Sequence, residues 1–180
     1  FEAYLIKKIL GKMEEAAAVK QDLKTLMRGA VHSYIEYAID YASAGMYDEA
    51  LQLLSFVTED TENTYPMVYY ALGYFSSKAG KKDEALAYYQ KAEQMCPDYC
   101  FPNKLEEVLM LQDAMSLNPT GSKAPYYLGN FHYAVRCYDD AVTCWETSVA
   151  LDDRFPTVLR NLSLAYYNKQ HNPQKALAAL

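Results

Sequence analysis

Glycine and proline are scarce in this chain, 7 of each in 180 residues, and histidine and tryptophan are scarcer still, at 3 and 1. So few breakers argue for long regular elements. Four cysteines are too few for a disulfide scaffold. Their spacings, Cys96 with Cys100 and Cys137 with Cys144, lack the paired pattern of a structural zinc site, so no metal or other cofactor is expected. Free thiols suit a reducing compartment, and a cytoplasmic location is expected. No block of like charge interrupts the chain, and 17 Lys and Arg against 23 Asp and Glu give −6. That balance argues against a nucleic-acid partner. Apolar runs stop well short of the ~18 residues of a membrane span, so no membrane partner is expected. The chain begins at Phe1 without a recognisable leader and reads as a piece cut from a longer polypeptide. Catalytic constellations are missing too. His32, His132 and His171 lie far apart, and there is no phosphate loop or nucleophile elbow, so no enzyme is expected.

What the sequence has in abundance is tyrosine, 18 residues in 180, and a repeat. Gly11, Gly45 and Gly80 are separated by 34 and 35 residues, and Ala16, Ala50 and Ala85 by the same steps. Around Gly80 stand Tyr69, Leu72-Gly73, Ala85, Tyr89, Ala92 and Pro97. Leu128-Gly129 with Tyr138, Ala141 and Trp145 makes a further copy, and Leu162-Ser163 with Tyr166 follows Leu128 by 34 residues. Within each copy, apolar residues recur at three- and four-residue spacing in two segments, as in a pair of amphipathic helices. Acids open each second segment (Glu14-Glu15, Asp48-Glu49, Asp83-Glu84, Asp139-Asp140), where they complement the helix dipole. Capping, not acid–base catalysis, accounts for these pairs.

These positions resemble the tetratricopeptide repeat in register, most fully over 66–99. The resemblance implies an all-α, right-handed superhelical solenoid of antiparallel helical hairpins. The expected organisation is one domain, 1–180, with a partial repeat at 1–30, repeats at 31–65 and 66–99, an irregular segment at 100–121, and repeats at 122–155 and 156–180, the last truncated. The pattern predicts helices near 2–10, 13–28, 31–44, 47–60, 66–79, 82–95, 103–117, 121–135, 138–151, 155–169 and from 173 onward, and no strand. From Leu72 to Leu128 is 56 residues, one repeat plus 22. The surplus reads as a lone helix of the second type near 103–117, with a kink in the solenoid beside it. Both ends are expected to expose apolar faces and to favour self-association. A looser similarity, carried by "APYYLGN" and "FPTVLRNLSLAYYNK", is to the tetratricopeptide portion of large bacterial proteins that also hold a β-rich domain of unknown function.

In this family the first helix of each hairpin lines the concave face. Carried over by position, that implies His32, Ile35, Ile39, Ala42 and Ser43, then Met67, Tyr70, Tyr74, Ser77 and Lys78. The later repeats add Lys123, Tyr126, Asn130, Tyr133 and Ala134, and Thr157, Arg160, Leu164, Tyr167 and Asn168. Five of these positions are Tyr, three are basic and none is acidic. Tyrosine offers contact area and a hydroxyl at low entropic cost. A tyrosine-rich, mildly basic groove suits a protein or peptide segment of acidic or carboxylate character. The expected binding residues are Tyr70, Tyr74, Lys78, Lys123, Tyr126, Asn130, Tyr133, Arg160, Asn161 and Tyr167, with Tyr74, Tyr126, Asn130 and Arg160 carrying most of the energy. Any one tyrosine has the alternative of packing between hairpins. The family's carboxylate clamp is incomplete, because Tyr126 stands where its first Lys belongs, so a chaperone tail is not the expected ligand. The alternative function is a structural spacer or oligomerisation arm of a larger bacterial protein, accessory to a carbohydrate-related domain.

Overall fold

The computed structural model describes residues 1–59 and 65–180. Among them are eleven helices and no strand: α1 (Glu2–Ile9), α2 (Met13–Met27), α3 (Val31–Ser43), α4 (Tyr47–Thr58), α5 (Pro66–Lys78), α6 (Lys82–Gln94), α7 (Leu105–Leu117), α8 (Lys123–Ala134), α9 (Tyr138–Leu151), α10 (Pro156–Asn168) and α11 (Pro173–Ala178). The sequence pattern predicts every one of them, and the terminal residue of the fourth, Asp60, lies outside the described residues. Consecutive helices pair as hairpins, α1 with α2, α3 with α4, α5 with α6, α8 with α9 and α10 with α11, and successive hairpins stack α4 on α5 and α9 on α10.

Close approach within a hairpin is set by one glycine and one ring. An added Cβ on Gly73 would lie 2.3 Å from the ring of Tyr89, and one on Gly129 would lie 2.5 Å from the indole of Trp145. Each aromatic sits sixteen residues after its glycine, so the two hairpins use the same joint. Gly73→Ala should cost about 1–3 kcal/mol by overpacking. The ring cannot swing away, because the Tyr89 hydroxyl donates to Asp113 Oδ2 at 2.6 Å. Urea unfolding checks this, and a cost below about 0.5 kcal/mol would mean the joint is looser than drawn. In the last hairpin Ser163 replaces the glycine, and its hydroxyl donates to the Ala176 carbonyl of α11 at 2.9 Å.

The turns repeat as well. Gly45 and Gly80 adopt φ of 79° and 80° at the end of the first helix of their hairpins. The residue after each donates to a carbonyl five residues back, Met46 to Tyr41 and Lys81 to Ser76. The α8–α9 turn makes the same bond from Cys137 to His132, yet its left-handed position, φ 67°, is held by Arg136. A side chain there costs about 1–2 kcal/mol. Arg136→Gly should therefore raise stability by about 0.5–1 kcal/mol after the entropy of the freer unfolded chain is offset, seen as a higher urea midpoint.

The expected lone helix is α7, and it packs chiefly on α5 and α8, the first helices of the hairpins on either side. Met110, Leu111 and Ala114 are buried there, and Asp113 accepts from both Tyr89 and Ser77. Glu107 holds its start by accepting from the backbone N–H groups of Asn103 and Lys104 at 2.7 and 3.0 Å. Lys104 also pairs with Glu36 of α3. Because α7 is looped aside, α6 and α8 are joined by a clasp. Glu93 accepts from the backbone N–H groups of Ser122 and Lys123 and from the Ser122 hydroxyl, while Lys123 Nζ donates to the carbonyls of Glu93 and Met95. The clasp satisfies unpaired groups at both helix ends.

Candidate functional site

The expected groove residues fall into two groups. On α5, α7 covers the face that the repeat pattern assigns to a ligand. Met67 and Tyr70 are buried, Tyr70 to 1% exposure, and Ser77 donates to Asp113. The Tyr70 ring packs against Tyr89 and edge-on against Tyr127. Burial pushes the Tyr70 hydroxyl well above the ordinary tyrosine range, so it stays neutral. Tyr74 is half-buried with Lys78 Nζ 5.0 Å from its ring. Lys123 is committed to the clasp on α6. Tyr126, 4% exposed, lies between Tyr127 and Phe155 with ring centroids at 5.1 and 4.8 Å. Tyr70, Tyr126 and Lys123 are thus core and capping groups.

The second group comes together. Asn130, Tyr133 and Asn161 line one cleft of ≈ 250 Å³ with Phe101, Ala134, Trp145 and Leu164. Asn130 Oδ1 accepts from Trp145 Nε1 at 3.2 Å and from Asn161 Nδ2 at 3.3 Å, which fixes both amides. The indole N–H is also directed at the Tyr126 carbonyl. Tyr133 packs on Trp145 and Tyr138, with Lys169 Nζ 4.3 Å from the Tyr138 ring. Phe101 and Leu164 are 62% and 46% exposed. Spacing of three and four residues puts Arg160, Leu164 and Tyr167 on one side of α10, all exposed. Arg160 has no ion-pair or hydrogen-bond partner among the described residues. The cleft holds one or two side chains, whereas small-molecule sites run to about 300–1,000 Å³.

Phe101 escapes a reading built on repeat positions, because it lies in the irregular segment before α7. The signal was local: in "PDYCFP" Cys100 is buried and Phe101 points out. Burial pushes the Cys100 thiol up to about 12, so it remains a protonated, unreactive core group. Trp145 was legible as the aromatic of a second helix but not as cleft lining.

Residues 66–99, the α5–α6 hairpin, match the family model of the tetratricopeptide repeat. The chain carries a tetratricopeptide repeat. Such repeats are typically non-enzymatic protein-interaction scaffolds, and the described fold around this one is an all-α array of stacked helical hairpins. Among solved structures, MamA is 18% identical, with 96% of this chain and 87% of that one covered and a TM-score of 0.43. YrrB, a TPR protein with an unusual peptide-binding site, is 19% identical over 98% of this chain and 78% of its own, with a TM-score of 0.40. MamA from Desulfovibrio magneticus RS-1 is 15% identical over 83% and 90%, with a TM-score of 0.37. No helix among the described residues is long and apolar enough to cross a membrane.

Proposed function

We propose that this tetratricopeptide solenoid is a recognition module that holds a peptide or protein segment in the cleft between α8 and α10. The observation that carries the proposal is the cleft itself. It joins exposed apolar groups, Phe101 and Leu164, to two fixed amides, Asn130 and Asn161, beside the unpaired Arg160. An apolar side chain of the ligand enters between Phe101, Trp145 and Leu164. Asn161 offers its amide to the ligand backbone, and Arg160 meets an acidic or carboxylate group next to the anchor. Tyr133, Tyr167 and Lys169 extend the surface along the rim, and Tyr74 with Lys78 lies outside it on α5. The four free cysteines support a reducing, cytoplasmic setting.

A random peptide display library, selected in parallel on wild type and on a Leu164→Asp, Arg160→Glu variant of unchanged helicity, tests this reading. Enrichment of acidic peptides with an apolar anchor on wild type alone supports it. Equal enrichment on both proteins, or none on either, overturns it.

A second reading, a structural or oligomerisation arm, is favoured by the ends of the solenoid. Ile9 and Leu10 beside α1 and Leu177 and Leu180 at α11 are exposed. Further clefts lie at these ends, ≈ 440 Å³ between Phe1, Leu23, Leu26 and Tyr37, and ≈ 420 Å³ between Val149, Leu159, Tyr166 and Ala179. Concentration-dependent association in sedimentation, lost when Leu177 and Leu180 are changed to Lys, would support it.

A further inference from the structure

We propose that the α8–α9 turn binds a zinc-class divalent cation through the imidazole of His132, the thiolate of Cys137 and the carboxylate of Asp140. One ligand atom from each lies within 4.8 Å of the other two. Ligands on a tetrahedral Zn²⁺, with bonds of about 2.0–2.3 Å, stand roughly 3.5 Å apart. Gathering the three is therefore a matter of small side-chain rotations. Cys137 and Asp140 are exposed, and His132 is half-buried with its ring edge-on to Phe131.

The backbone under the three groups is already set. His132 is in the last turn of α8, and its carbonyl accepts from the Cys137 N–H at 2.9 Å; the Cys137 carbonyl accepts from the Ala141 N–H at 3.0 Å and starts α9. His132, Cys137 and Asp140 thus ride on a closed turn, and binding a metal there orders little more than side chains. Asp140 has no ion-pair or hydrogen-bond partner among the described residues, whereas its neighbour Asp139 accepts from Gln170.

Two other turns of the same backbone design have different chemistry. The positions of His132, Cys137 and Asp140 are filled by Tyr41, Met46 and Glu49 in the α3–α4 turn and by Ser76, Lys81 and Glu84 in the α5–α6 turn. Neither is a ligand set. The acid of each trio is a repeat feature in the first turn of the second helix, where it complements the helix dipole, and His132 and Cys137 add imidazole and thiol to make a mixed N, S, O donor set. Imidazole and thiolate favour zinc-class ions over Mg²⁺ or Ca²⁺. Three protein donors leave a fourth position to water or to a group from a partner. Binding displaces the thiol proton of Cys137 to solvent, so affinity falls as pH is lowered.

Cobalt(II) is the probe. Titrated into the reduced full chain, it should give a near-ultraviolet thiolate-to-cobalt band and the visible bands of a tetrahedral ion, saturating at one cobalt per chain and reversed by Zn²⁺. Cys137→Ser should abolish the charge-transfer band. His132→Ala and Asp140→Asn should each weaken binding at least tenfold, with helical circular dichroism unchanged. Cys96→Ser, which alters the other exposed thiol, should leave the titration as in wild type. Absence of the band in excess cobalt, its survival in Cys137→Ser, or its loss in Cys96→Ser would overturn the assignment. None of these outcomes depends on what occupies the α8–α10 cleft.

Discussion

Tyr126→Ala should lower stability by about 3–5 kcal/mol, while Arg160→Ala should change it by no more than about 0.5 kcal/mol. Repeat positions alone give both residues the same role, as ligand contacts on the first helix of a hairpin. Their surroundings give them opposite ones. Removing the Tyr126 ring empties the space between Tyr127 and Phe155. It also removes the packing beneath a carbonyl that accepts from Trp145. Arg160 leaves nothing unpaired when it is cut back. Urea unfolding of both variants, followed by circular dichroism, provides the measurement. Equal and small losses would mean that Tyr126 is a surface group after all; equal and large ones would mean that Arg160 holds the fold together.

Leu111→Ala should cost about 2–5 kcal/mol. Leu111 is fully buried on α7, which packs on α5 and α8, so α7 is a wall of the core and not a segment draped over it. In a solenoid each unit is stabilised by its neighbours, so the loss should spread to α5 and α8 and spare α1 and α2. Amide exchange resolves this. Faster exchange confined to α7, with global stability unchanged, would show instead that α7 can leave α5 and α8 without unfolding them.

The helices were legible because their cause is local. Apolar spacing, Gly45 and Gly80 at the turns, and acids opening each second helix act within about a dozen residues, and each repeats. The joints were legible in part: Gly73 and Gly129 announce close approach, but only the packed structure shows that Tyr89 and Trp145 fill the space they leave. The placement of α7 was not legible. Its composition is that of any buried helix, and the choice between stacking on α6 and filling the face of α5 depends on contacts distant in sequence, such as Asp113 with Ser77 and Tyr89.

That one placement explains the division within the candidate site. On α5, Ser77 is taken up by Asp113 of α7, while Tyr70 is core between Tyr89 and Tyr127. The loop that carries α7 there brings Phe101 to the cleft beside Asn130 and Leu164. Lys123 was predicted from its position to meet a ligand, but the detour of α7 leaves helix ends on α6 and α8 whose backbone groups need partners, and Lys123 supplies them.

Trp145 is the single tryptophan of the chain and lines the cleft, so its fluorescence reports directly on occupancy. The most direct measurement is a titration of a library-selected peptide followed by Trp145 emission and, in parallel, by calorimetry. Recognition in the α8–α10 cleft predicts a saturable emission change with the same midpoint as the heat, weakened at least tenfold in Arg160→Ala and Leu164→Asp. Calorimetric binding that leaves Trp145 emission unchanged and tolerates both substitutions would place the ligand elsewhere and contradict the account.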